Sequence, residues 1–122
     1  TTTAYSWGDD INSSRANYNW DGAYNTGNDF QQTRNVGQYA ANSWGFFDMH
    51  GNVREWTADW YGSYDNNAVA DPIGPTSGSG RVFRGGSWLH GVAHLRSGKR
   101  SPHTPNSRSL YIGFRVGFQN SQ

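Results

Sequence analysis

The stretch Gly45-Phe46-Phe47-Asp48-Met49-His50-Gly51-Asn52-Val53-Arg54-Glu55-Trp56 decides how the rest of the chain is read. Gly51-Asn52 signals a sharp turn, because glycine has no Cβ to clash when the backbone turns left-handed. After it, Val53, Glu55 and Thr57 alternate with Arg54 and Trp56, the period-two pattern of a half-buried strand. Arg81 to Trp88 reads as a second strand, running into the close backbone approach that Gly85-Gly86 permits. Tyr111 to Phe118 is the cleanest strand pattern, with Ile112, Phe114, Val116 and Phe118 on one face. Between these runs, residues 65–80 form a loop rich in Gly, Pro and Ser, and residues 90–105 are irregular and polar. Residues 5–39 mix Asn, Asp, Gly and Ser with scattered aromatics and read as ordered irregular loop. No helical apolar period sustained over about twelve residues appears anywhere.

The 122 residues suit one domain. Hydrophobic residues are only 34%, yet six Trp, seven Tyr and six Phe argue against disorder. Those aromatics are expected to pack long loops into a core, and ordered long loops in a compact domain point to function. With no cysteine there is no disulfide, thiolate metal site or thiol nucleophile. No apolar run is long enough to span a membrane, and no signal-peptide pattern opens the chain. The net charge of +1 hides a segregation: all nine acidic residues lie at or before Asp71, while Arg81, Arg84, Arg96, Lys99, Arg100, Arg108 and Arg115 follow it. Such halves attract each other within a fold or present a basic face to an acidic partner.

The runs 45–56, Arg84-Gly85-Gly86-Ser87-Trp88 and Ile112-Gly113-Phe114-Arg115-Val116 occur in that order. Together they resemble the formylglycine-generating-enzyme (sulfatase-modifying factor) superfamily, as do Tyr5-Ser6-Trp7-Gly8-Asp9 and Ala16-Asn17-Tyr18. The resemblance implies an α+β C-type lectin fold, loop-rich, with short antiparallel strands and little regular secondary structure. It implies one domain over residues 1–122, matching the C-terminal half of a larger family domain. A missing N-terminal segment or a second chain is then expected to partner the final strand, whose apolar edge is otherwise an aggregation hazard. The oxidising members of the superfamily carry two cysteines shortly after the Gly-Gly-Ser-aromatic motif. Here the matching positions fall at about His90 and Leu95, neither of which supplies the thiolate that soft Cu(I) favours. Formylglycine generation is therefore not expected.

A cysteine-free subset of the superfamily serves as variable proteins of diversity-generating retroelements, and this sequence resembles it most. In that subset the stretch from Gly-Gly-Ser-Trp to Ile-Gly-Phe-Arg, here residues 85–115, is rewritten mainly at Asn codons and forms a ligand-binding surface. The resemblance implies a non-catalytic binding protein using Leu89, His90, Gly91, Ala93, His94, Lys99, Ser101, His103, Ser107, Ser109, Leu110 and Tyr111. Lys99 departs from the pattern, since adenine changes in a pyrimidine-ended Asn codon do not reach lysine. Leu110 and Tyr111 would be the apolar anchor, ringed by His and Ser. The implied partner is a protein or cell-surface ligand, which suits surface display or secretion. The alternative is a sulfatase-modifying-factor-type enzyme or accessory domain without the catalytic cysteines.

The resemblance also implies structural calcium. Asp48, Gly51, Val53 and Glu55 match one family site, and two carboxylates with two carbonyls suit a hard cation. The bland alternative is that Asp48 caps a turn while Glu55 meets solvent or an arginine. Asn17, Tyr18 through its carbonyl, and Asp29 match a second site with shortened spacing. His90 and His94, four apart, have zinc-like spacing, but with no acid after Asp71 they read as loop histidines. The basic run with Trp88, Tyr111 and Phe114 could suit single-stranded nucleic acid. Its arginines match family framework positions, so structural bonds to loop carbonyls are expected instead, and no nucleic-acid partner is. The chain carries no nucleophile elbow, phosphate loop or zinc-protease helix motif.

Overall fold

The computed structural model describes residues 2–19, 30–64 and 73–117. Four strands form one sheet: β1 (Arg54–Trp60), β2 (Arg81–Arg84), β3 (Ser101–His103) and β4 (Ile112–Gly113). The order across the sheet is β3-β2-β1-β4. β2 runs antiparallel to both β1 and β3, whereas β4 lies parallel to β1, pairing Ile112 with Arg54 and Gly113 with Glu55. The expectation of antiparallel strands therefore fails at this one edge. The β1–β2 ladder slips between Trp56, opposite Phe83, and Trp60, opposite Arg81, so β1 bulges there. One turn of 3-10 helix, Val92–His94, completes the regular structure among the described residues.

The predicted strand starts hold at Arg54 and Arg81, but the last strand is far shorter than its pattern suggests. Pairing stops at Gly113, and Phe114 and Val116 stand 77% and 63% exposed. Arg115 turns instead toward Glu55 and the Asp48 carbonyl, which takes the chain off the ladder. Phe118 lies outside the described residues. The opposite error occurs at β3, hidden in a stretch read as irregular: Ser-Pro-His is poor strand sequence. At a sheet edge, however, Pro102 loses no bond that the ladder needs.

The core lies beside the sheet. Tyr5, Ala16, Tyr18 and Leu95 are buried together, with Trp7, Ile11 and Val92 packed against them, while Val82 and Phe83 are buried on β2. Tyrosine, phenylalanine and leucine thus fill the core, with tryptophan packed against it. Trp7 stacks on Tyr5 and meets the His50 ring edge-on at 4.7 Å, Trp56 packs on Phe83 at 3.8 Å, and Trp44 is 70% exposed. Trp20 lies outside the described residues. Buried His50 joins two loops: its Nδ1 lies 2.6 Å from the Leu95 carbonyl, and its Nε2 accepts from the Ser6 N–H at 3.2 Å. Burial holds its pKa below the usual value, against the opposing pull of the Leu95 carbonyl.

The Gly51-Asn52 turn gathers the remaining loops. Gly51 sits at φ +80°, where a Cβ would come within 2.4 Å of the Asn17 carbonyl oxygen, so only glycine fits. Asn52, at φ +62°, donates its backbone N–H to Asn17 and accepts the Trp88 N–H at its carbonyl. Its side-chain Oδ1 accepts the Arg34 N–H at 2.8 Å and the Asn17 amide at 3.3 Å, while Nδ2 donates to the Arg34 carbonyl at 3.1 Å. One buried amide therefore fixes three segments that have no strand or helix to hold them. The framework arginines act similarly: Arg84, Arg96 and Arg100 donate to the carbonyls of Ser97, Ala93 and Gly62.

Candidate functional site

The loop after β2 leaves the sheet at Gly85 and Gly86, both at positive φ. A Cβ on Gly86 would lie 2.7 Å from the Leu95 side chain, so the loop closes tightly on the core there. Ser87 and Leu95, at the two ends of the loop, are fully buried. Between them Leu89 and Ala93 are exposed, and His90, Gly91, Val92 and His94 are half-buried. The buried ends act as anchors and the middle is presented to solvent.

Several candidate residues meet on this loop. The His90 and His94 rings lie 5.0 Å apart, and Tyr111 meets His90 edge-on at 5.4 Å. The Trp88 indole N–H reaches toward the Leu110 carbonyl at 3.4 Å, which brings the Ser109–Tyr111 turn alongside. Leu110 is 83% exposed. The His90 backbone is fixed by bonds to the Ser87 carbonyl and the Asn19 N–H. Gly91 accepts the His94 N–H at the mouth of the 3-10 turn.

Other candidates lie elsewhere. Ser101 and His103 are on β3, at the opposite sheet edge from β4, and the His103 ring packs 5.4 Å from Phe83. The Ser107 hydroxyl pairs with that of Thr104 at 2.7 Å, and the Ser109 carbonyl accepts the Ile112 N–H. Lys99 lines an open cavity of about 470 Å³ shared with Asp9 and Arg96, which does not include the His90–Tyr111 cluster. None of the twelve candidates is fully buried.

Sequence reasoning missed Ser87 and Arg54. The Ser87 hydroxyl accepts the Leu89 N–H at 3.3 Å and, fully buried, lies in hydrogen-bond contact with the neighbouring His90 Nδ1. A buried serine beside a histidine is no exposed nucleophile; its partner is being oriented. Arg54 projects toward the His94 ring, with a guanidinium nitrogen 3.4 Å from Nδ1. Its signal in the sequence was the alternation that puts Arg54 and Glu55 on opposite faces of β1. Burial, then the Arg54 and His94 charges, push His90 down to about 4. His94 is lowered by burial and by Arg54, Lys99 and Arg96. His90 is thus neutral at pH 7.

The expected calcium ligands divide. At the first set, both Glu55 carboxylate oxygens accept from Arg115 at 2.8 and 2.9 Å, and the Asp48 carbonyl accepts from the same guanidinium at 3.3 Å. The Asp48 carboxylate takes the Gly37 N–H at 2.6 Å. An arginine thus lies against the first set of expected ligands. At the second set, Asn17 Nδ2 donates to Gln32 and Asn52, which fixes the amide and leaves buried Oδ1 without a partner. An orphaned buried oxygen fits a cation. Asp29 lies outside the described residues.

A small sheet, loops pinned by buried amides, and a Gly-Gly-Ser-Trp loop displaying side chains define a C-type-lectin-like scaffold of the sulfatase-modifying kind. The chain belongs to the family of sulfatase-modifying factor enzyme 1-like domains, whose model matches residues 1–119. It is similar to the formylglycine-generating enzyme of Mus musculus, with 36% identity over 121 residues covering 91% of this chain and 32% of that protein. Among solved structures it is similar to Treponema denticola variable protein 1, at TM-score 0.72 and 35% identity over 84% of this chain and 35% of that one. It is also similar to PvdO from Pseudomonas aeruginosa, at TM-score 0.68 and 32% identity over 84% of this chain and 38% of that one. The chain spans about a third of the length of the mouse relative. No described helix is long and apolar enough to cross a membrane.

Proposed function

We propose that this chain is a non-catalytic binding domain, a retroelement-diversified variable protein that recognises a protein or cell-surface ligand through the loop after Gly-Gly-Ser-Trp and the turn before β4. The observation that carries this reading is the division of labour within residues 87–95: buried Ser87 and Leu95 hold the loop, and Leu89, His90, Ala93 and His94 between them face outward. Leu110 and Tyr111 supply the apolar anchor, and the pinned loops lower the ordering cost of binding. Likeness to a protein called variable protein 1 supports the same reading.

The test is a displayed library randomised at Leu89, His90, Ala93, His94, Leu110 and Tyr111. Folded members that bind unrelated protein targets are expected. A library whose members lose the fold, or yields no binders, overturns the proposal.

The relatives favour a second reading, an enzyme of the formylglycine-generating type or an accessory to one. Copper-dependent oxidation of a cysteine peptide by the chain would establish it. Against it stand His90 and buried Leu95 where the resemblance calls for cysteines. Calcium, bound through Asn17 Oδ1, the Tyr18 carbonyl and Asp29, would add rigidity as a structural ion. A melting temperature raised by millimolar calcium and lowered by chelator, with the gain lost in Asn17→Leu, is the expected result. Identical melting in calcium and chelator removes the ion from the account.

A further inference from the structure

Arg54 has a charge that nothing described neutralises. It is half-buried, and burial pulls its pKa below the usual arginine value. A partly desolvated cation is costly unless paired. Of the five described carboxylates, those of Asp9, Asp48, Glu55 and Asp59 bind Ala4, Gly37, Arg115 and Thr57 respectively, and that of Asp10 makes no ion pair with a described residue. Among the described residues the Arg115–Glu55 contact is the one ion pair. The Arg54 guanidinium lies 3.4 Å from Nδ1 of the His94 imidazole, and Tyr111 also acts on its charge.

The bonding around that contact fixes what the cluster offers. A guanidinium only donates, so His94 Nδ1 accepts and, in the neutral ring, the proton sits on Nε2. With the Ser87 hydroxyl as donor to His90 Nδ1, the His90 proton also sits on Nε2. Two imidazole N–H groups, the remaining guanidinium N–H groups and the Tyr111 hydroxyl thus share one small region of the surface. It is rich in donors and, among the described residues, no carboxylate pairs with it. A divalent metal needs lone pairs where these rings carry protons, and it would sit beside a guanidinium. An acceptor-rich anion meets neither obstacle.

We propose that Arg54, His90, His94 and Tyr111 form a seat for a carboxylate carried by the ligand, namely an acidic side chain of a peptide segment. This rests on the binding-surface reading above and specifies the chemistry it recognises. A planar guanidinium fork matches a carboxylate two bonds at a time. A single guanidinium backed by neutral imidazoles balances one negative charge, which suits a carboxylate better than a doubly charged phosphate. Arg96 and Lys99, close enough to lower the His94 pKa, add a positive potential that draws acidic segments in.

The test is an NMR titration of the isotope-labelled chain at pH 7.5, reading the Arg54 Nε–H and the His90 and His94 ring signals. The probes are N-acetyl-glutamic acid α-amide, its neutral glutamine counterpart, and inorganic phosphate. Saturable shifts with the glutamate probe are expected, weakened about tenfold or more with the glutamine probe. Arg54→Lys should weaken the response, and Arg54→Gln should abolish it while the amide spectrum stays dispersed. No saturable shift in the unaltered chain, equal response to the glutamine probe, or tighter binding of phosphate each overturns the proposal. The unaltered chain decides the matter even if a variant does not fold. A silent titration beside a library that still yields binders removes the carboxylate seat and leaves the binding surface; a library without binders removes the surface itself.

Discussion

The Gly51-Asn52 turn and the Ser109–Tyr111 turn are joined through the first residue of β1, since Val53 leads from one into Arg54 and the Arg54 N–H bonds to the Tyr111 carbonyl. They use their side chains in opposite ways. Asn52 is nearly buried and spends every polar atom on other segments. Leu110 is 83% exposed, and its backbone carbonyl accepts the Trp88 indole N–H. Where the fold is specified by side chains, substitution is costly; where it is specified by backbone alone, the side chain is available for recognition.

The contrast is broken most directly at Gly51. Gly51→Ala places a Cβ against the Asn17 backbone at positive φ, and a loss of about 3 kcal/mol or more in urea unfolding is expected. Tolerance of alanine would show that the turn is not a fixed point. Next comes Asn52→Ala, which strips the partners from the Arg34 N–H and carbonyl and one bond from the Asn17 amide; a loss of about 2–3 kcal/mol should appear as a lower denaturation midpoint.

Acid should have a smaller effect, read by the melting temperature. His90 is held at about 4 against an ordinary 6.5, and His50 is also lowered, so the unfolded chain binds more protons in that window. Stability is then full above about pH 6.5 and falls as pH drops toward 4. His90→Asn should flatten part of that slope; an unchanged slope would show that His90 is not protected from charging. The Glu55–Arg115 pair is partly exposed, so Glu55→Gln should cost about 0.5–1 kcal/mol, shrinking at high salt. Smallest of all, Leu110→Ser should change stability by less than about 0.5 kcal/mol, because the side chain is in water in both states. A large loss there would erase the distinction between the two turns.

What the sequence made legible follows the same division. The turn at Gly51-Asn52, the strand starts at Arg54 and Arg81 and the Gly-Gly approach were readable because each depends on neighbours in sequence. β3 was not readable, because Ser101-Pro102-His103 becomes a strand only by lying against β2. The end of β4 was misread because apolar alternation in residues 112–118 says nothing of whether a partner strand is present. In the candidate site the loop itself was legible from its motif. The role of Arg54 was not, since it comes from a contact with a histidine forty residues away. Ser101 and His103 were grouped with the loop through the family resemblance, and the sheet order sets them at the edge opposite β4.

The dependence on one asparagine carries a consequence for kinetics. Asn52 ties to residues seventeen, thirty-four and eighty-eight, so the polypeptide must close several long loops before this amide finds its partners. With only one turn of 3-10 helix among the described residues and a sheet whose first and fourth strands are far apart in sequence, the search is dominated by distant encounters, the circumstance in which small domains fold slowly.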